Sequence, residues 1–186
     1  LGGGDGLDIE RVRAVRSAIN DDLVIRVDAN QGWSDPVTAR AMIRALEPYR
    51  IDWVEQPILA DDIDGFKLLR QDTSTCLMAD ESVVHAGDLA RFVHDRSVDM
   101  VNLKLMKSGG ITPCHRLATQ AELGGLKVQI GSMLETSIAS AAGPVRRIVR
   151  SRSSCRFTTS WLRSMKLNCS SFPSRAARNV FFSPAL

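Results

Sequence analysis

Acidic side chains stop at Glu135 and glycine stops at Gly143; nothing from there to Leu186 contains either. Nine of the 24 Lys and Arg residues fall in 144–186, which leaves 15 basic against 21 acidic side chains in 1–143, a net of −6. The overall charge of +3 is therefore an average over two unlike pieces. Any argument from basicity toward nucleic acid concerns the tail alone. Cysteine is sparse, at Cys76, Cys114, Cys155 and Cys169, with no CxxC pair and no zinc-ligand spacing. These read as reduced, structural thiols, Cys76 as a small buried strand residue. No apolar run approaches the roughly 20 residues of a membrane-spanning helix, and the first residues lack the basic and apolar regions of a secretory leader. The cytoplasm is the expected compartment, with no membrane partner. Neither GxGxxG nor GxxxxGK[ST] occurs, so a nucleotide cradle has no support, and Gly109-Gly110 alone is too short a signal. Of three histidines, His85 could approach a site near Glu81, while His94 and His115 fall in outer helices; none is assigned a role.

What is present is a regular alternation of helical and strand patterns. Residues 8–19 place Ile9, Val12, Val15 and Ile19 on one helical face, and 23–27 form a short β-branched run. Ser34-Asp35-Pro36 is a helix start, a capping carboxylate followed by proline in the first turn, and Pro48 stops that helix after Glu47. Strands are predicted at 51–54, 76–79, 98–105 and 126–130, and helices at 61–70, 87–94, 111–123 and 133–142. Strands alternating with helices argue a parallel sheet with right-handed crossovers.

Four residues end successive apolar runs: Asp28, Glu55, Asp80 and Lys104, at intervals of 27, 25 and 24 residues. One strand, one helix and two loops fit that period, so the four groups are expected at the same end of consecutive strands. A doubly wound sheet gathers its chemistry at one switch point, whereas contributions from four strands in a row suit the rim of a (β/α)8 barrel. Three carboxylates with no His or Cys beside them point to a hard cation, Mg²⁺ before Mn²⁺. Such an ion can hold a substrate carboxylate and stabilise the enolate formed when a base removes the α-proton. Lys104 suits that base, because an ammonium beside a bound dication is disfavoured and its pKa should fall.

The segments Val27-Asp28-Ala29-Asn30-Gln31-Gly32-Trp33, Val54-Glu55-Gln56-Pro57, Met78-Ala79-Asp80-Glu81-Ser82 and 101–111 around Lys104 resemble, in order, the muconate-lactonizing and mandelate racemase-like branch of the enolase superfamily. The resemblance covers residues 1–143. It implies a partial (β/α)8 TIM barrel of about five βα units, with Mg²⁺ on Asp28, Glu55 and Asp80 and Lys104 as one of two acid/base lysines. It places Asn30, Gln56, Glu81, Asn102, Ser132, Met133 and Glu135 near the metal or along the substrate pocket, and makes Lys107 a loop lysine. Within the branch, Gly131-Ser132-Met133-Leu134-Glu135-Thr136 is most similar to dipeptide epimerases such as those acting on Ala-Glu. The implied reaction is a 1,1-proton transfer on a small carboxylate substrate, by an enzyme whose full-length relatives are homo-oligomers. Muconate cycloisomerases, o-succinylbenzoate synthases and N-succinylamino acid racemases share the same signatures. A non-catalytic metal-binding barrel is the alternative from another class.

The resemblance also sets what to expect of the ends. The resemblance implies a Lys-x-Lys just before a stretch like Leu1-Gly2-Gly3, a capping domain, and an eighth strand, which in dipeptide epimerases carries an Asp-x-Asp. None of these has a counterpart in the chain, so it is expected to lack the second lysine and to be inactive alone. Two open sheet edges and a bare inner face should leave it marginally stable or prone to aggregate. The abrupt loss of Gly, Asp and Glu predicts a change of reading frame near Gly143, making 144–186 non-native or disordered sequence; nucleic acid is not its expected partner.

Overall fold

The computed structural model describes residues 1–3 and 6–134, with 136, 138 and 142 singly. The expectations for Glu135, for a helix over 133–142 and for 144–186 fall wholly or largely outside those residues. The described elements are α1 (Leu7–Ala18), β1 (Ile25–Asp28), α2 (Pro36–Leu46), β2 (Ile51–Glu55), α3 (Ile63–Asp72), β3 (Cys76–Ala79), α4 (Ala86–Asp95), β4 (Met100–Leu103), α5 (Ile111–Leu123) and β5 (Lys127–Ile130). Asp35 caps α2 as expected, its carboxylate accepting from the amides of Val37 and Thr38, with Pro36 in the first turn. Pro48 ends α2 by diverting the chain into a 3-10 turn over Glu47–Tyr49.

The five strands are all parallel and lie in sequence order, β1-β2-β3-β4-β5. No strand doubles back across an earlier one, so the twisted sheet curls continuously into half of a barrel. Pairing sets Asp28 opposite Glu55, Glu55 opposite Met78 and Met78 opposite Met100. Measured from that level, Asp80 stands two residues further along its strand and Lys104 four. This stagger is what tilted barrel strands require.

Alternation along the strands sorts side chains onto two faces. Val27, Val54, Leu77, Ala79, Val101, Leu103 and Val128 face the helices in one core with Ile43, Phe66, Leu89, Phe92 and Leu117. Phe66 and Phe92 meet edge to face there, with ring centroids 5.3 Å apart. Trp53, Met78 and Met100 form a separate inner cluster with Cys76. Cys76 corrects one expectation: it is half-buried, because its side chain lies on the inner face rather than under a helix. Arg26 stacks on the Trp53 ring at 4.0 Å, two residues before Asp28 and on the same face. The inner parity that carries Trp53, Met78 and Met100 also carries Glu55, Asp80, Asn102 and Lys104.

Candidate metal and proton-transfer site

Each carboxylate arrives at the C-terminal rim with its own brace. Asp28 closes β1, and its two oxygens accept from the Asn30 backbone amide at 2.8 Å and the Asn30 side-chain amide at 2.7 Å. Asn30 does this from the left-handed region, at φ 46°, which Asn tolerates better than most residues. Glu55 closes β2 and accepts from the Asn102 side-chain amide at 2.6 Å, across two strands. Asp80 follows β3 directly, and its carboxylate is held by both Lys104 and Lys107. Gly131, after β5, lies so close to Asn102 that an added Cβ would sit 2.5 Å from its Oδ1.

Lys104 corrects a second expectation, since β4 ends at Leu103 and Lys104 opens the following turn. The Lys104 carbonyl accepts from the Ser108 amide at 2.9 Å and the Leu105 carbonyl from the Gly110 amide at 2.7 Å. These bonds curl the chain away from the sheet two residues sooner than the apolar pattern suggests.

Burial dominates the electrostatics of the carboxylates, and crowding of like charge adds to it. Burial, then the neighbouring Asp28 charge, pushes Glu55 up to about 8, against the lowering effect of the Asn102 hydrogen bond. Burial likewise raises Asp28, opposed by the Asn30 amide, and raises Glu81, with the Asp80 charge adding to it. For Lys104, burial disfavours the ammonium, but the Asp80 hydrogen bond and the charges of Asp80, Glu55 and Glu81 outweigh it. The net direction is upward. Lys107 shifts downward, with burial prevailing over Asp80.

The donor set fits a hard cation. Its members are oxygens, and two acceptors at the cluster, Glu81 Oε2 and Asn102 Oδ1, are buried and take no hydrogen bond. Among the described residues, no three carboxylate, imidazole or thiol groups are already drawn into a coordinating array. The carboxylate oxygens are instead committed to Asn30, Asn102, Lys104 and Lys107.

Comparison with known proteins places this geometry. Residues 2–146 match the family described as Enolase C-terminal domain-like. The chain belongs to that family. It is 44% identical over 136 residues to an N-succinyl-L-Arg/Lys racemase of Bacillus cereus, covering 73% of this chain and 37% of the relative. It is 38% identical over 156 residues to a hydrophobic dipeptide epimerase of Enterococcus faecalis, covering 81% of this chain and 44% of the relative. A crystal structure of a dipeptide epimerase from Cytophaga hutchinsonii, complexed with Mg and the dipeptide D-Ala-L-Val, matches with a TM-score of 0.74 at 38% identity. That match covers 77% of this chain and 39% of the other. These relatives are isomerases, and the chain spans less than half the length of each.

Within this enolase C-terminal domain-like fold, the residues expected near the rim divide into three groups. Asn30, Glu81 and Asn102 lie at the carboxylates. Gln56 is buried and turned sideways into a brace: it accepts from the amides of Asp80 and Ser82 and donates to the Ile58 carbonyl and the Ser82 hydroxyl. Ser132 and Met133 follow β5, with Met133 half exposed. His85 caps α4 in a reciprocal pairing with Asp88, and all three histidines are exposed. Lys107 is the residue the sequence undervalued; the only hint was its place three residues after Lys104, before two glycines.

Among the described residues, no helix is long and apolar enough to cross a membrane.

Proposed function

We propose that Asp28, Glu55 and Asp80 hold Mg²⁺ and that Lys104 moves the proton α to a substrate carboxylate, in an isomerase of the racemase and epimerase type. The observation that carries this is the convergence of the three carboxylates and the amine at one end of four consecutive parallel strands. When bound, the ion supplies positive charge that holds the substrate carboxylate and stabilises its enolate. Asn30 and Asn102 orient two of the carboxylates, and Gln56 fixes the backbone that carries the third. Lys104 needs its neutral form to accept a proton. The carboxylates that keep it charged are the proposed ligands themselves, so engaging them elsewhere removes the attraction that raises its pKa.

The racemase and dipeptide epimerase relatives support an N-acylated amino acid as the substrate class. An N-succinyl amino acid and a dipeptide are both amino acids acylated on nitrogen with a free carboxylate. A dipeptide of the Ala-Glu kind is our first choice, and an N-succinyl amino acid the second. Inversion needs a proton donor on the opposite face of the α-carbon, and among the described residues Lys104 is the one amine at the rim not tied to backbone carbonyls. The 186-residue chain is therefore expected to bind the ion without epimerizing on its own.

The test is calorimetric titration of the purified chain with Mg²⁺, alongside Asp28→Ala, Glu55→Ala and Asp80→Ala. Binding should be lost in all three; equal binding by any of them removes that residue from the set. Racemization of Ala-Glu by the isolated chain, followed by NMR in D₂O, would overturn the one-amine reading.

A further inference from the structure

The β3–β4 ladder makes its last pairing at Ala79 and Val101. The next residue on each strand is Asp80 and Asn102, where the sheet opens toward the rim. Lys107 fills that opening. Its Nζ donates to the Asn102 carbonyl at 2.9 Å, to Asp80 Oδ1 at 2.6 Å and to the Asp80 carbonyl. An ammonium has three protons, and here three oxygens take them. The side chain is 9% exposed, in contrast to the exposed position typical of lysine. The turn after β4 makes this reach possible, since it folds Lys107 back under the strand ends, closed by Gly109 and Gly110 at φ 84° and 113°.

We propose that Lys107 is a positioning residue, an internal clamp that fixes the backbone and side-chain torsion of Asp80 so that its Oδ2 is turned to Lys104 at the rim. This rests on the reading of Asp28, Glu55 and Asp80 as the ion's ligands, and adds to it the group that sets one of them. By gripping the carbonyl and Oδ1 of the same residue, the amine leaves Asp80 a single orientation. By adding the Asn102 carbonyl, it holds the β3 and β4 ends at a fixed spacing. Asn102 in turn orients Glu55, so one ammonium steadies two of the three proposed ligands. A simple counter-charge would behave in the opposite way. A positive charge beside a cation site repels the ion, so removing it should tighten binding; removing a clamp should loosen it.

The experiment measures Mg²⁺ dissociation constants for the unaltered chain, Lys107→Met, Lys107→Gln and the surface control Lys67→Met, each with a urea midpoint. Removing an outer orienting partner of a metal ligand costs about tenfold or more in affinity. That loss is expected for Lys107→Met, with a smaller loss for Lys107→Gln, which keeps an amide donor, and none for Lys67→Met. The loss at Lys107→Gln should come without a matching fall in urea midpoint, a separation that general destabilisation would not produce. If Lys107→Met does not fold, Lys107→Gln carries the comparison. Unchanged or tighter binding in the folded Lys107 variants overturns the clamp. If the unaltered chain binds no Mg²⁺, the ligand set fails instead. The clamp is then read from the ¹³C carboxyl signal of Asp80, which should move in Lys107→Gln; an unmoved signal overturns it.

Discussion

Replacing Gln56 with leucine removes one buried amide and strands the groups around it. Gln56 lies at the end of β2 in the left-handed region, at φ 36°, which sends its side chain across to the end of β3. Its Oε1 accepts from the Asp80 amide at 2.9 Å and the Ser82 amide at 3.2 Å. Its Nε2 donates to the Ile58 carbonyl at 2.9 Å and to Ser82 Oγ at 2.8 Å. The hydroxyl can rotate and the carbonyl keeps a second lone pair, so the unavoidable losses are the two amides. Each buried donor left without a partner costs about 1–3 kcal/mol, which sets the total at about 2–6 kcal/mol. At a urea dependence of about 2 kcal/mol per M, a mid-range loss lowers the unfolding midpoint by about 2 M. If Gln56 merely filled space, leucine, close to it in volume, would cost less than about 1.5 kcal/mol. Urea titration by circular dichroism separates the two. Gln56→Glu, which keeps the acceptor but loses the donor, should fall between wild type and leucine. Amide exchange at Asp80 and Ser82 should quicken in Gln56→Leu. A midpoint shift under about 0.5 M, well short of the range above, would refute the bracing argument.

Two further outcomes follow from the packing and the caps. Phe92 is fully buried against Phe66, so Phe92→Ala should cost about 3–5 kcal/mol in urea unfolding, whereas Leu123→Ala, at a residue 85% exposed, should be near neutral. Hydrogen bonds from the Thr38 amide, then its hydroxyl, then Ser34 hold the Asp35 carboxyl down to about 2, below its usual 3.8. A depressed carboxyl stabilises the fold above its unfolded pKa and loses that contribution as pH falls through the folded value. The protection of α2 amides should therefore decline between about pH 4 and 2, and Asp35→Asn should flatten that decline. A profile identical in the variant would remove Asp35 as its source.

The convergence at this rim was legible because it is periodic, and the bracing was not because it is local to three dimensions. Asp28, Glu55 and Asp80 sit where apolar strand runs stop, and a βα unit has nearly constant length, so their common end could be counted from the chain. Lys104 kept the phase while its secondary structure was misjudged: apolar alternation continues to Leu105, but the turn bonds from Ser108 and Gly110 end the ladder at Leu103. Gln56 and Lys107 carry no such period. A glutamine before a proline and a lysine before two glycines are ordinary loop residues in one dimension, and only the register of β2, β3 and β4 brings them to Asp80.

The same distinction applies to Asp8, an acidic residue in the first turn of α1, a position where a carboxylate can act on the helix dipole from solvent. Folding buries it instead, where it accepts from the Gly2 amide at 2.7 Å and the Trp33 indole at 3.2 Å. Trp33 follows the β1 loop that holds Asp28 and Asn30, so this carboxylate ties α1 to the rim from behind. Glu55 and Asp80 thus depend on polar residues remote in sequence, Asn102 for the first and Gln56 with Lys107 for the second, while Asp28 is held by Asn30 in the turn that follows it. Three carboxylates alone, grafted at the right period, would not reproduce this arrangement. Their orientation comes from partners whose identity matters as much and whose spacing follows no repeat.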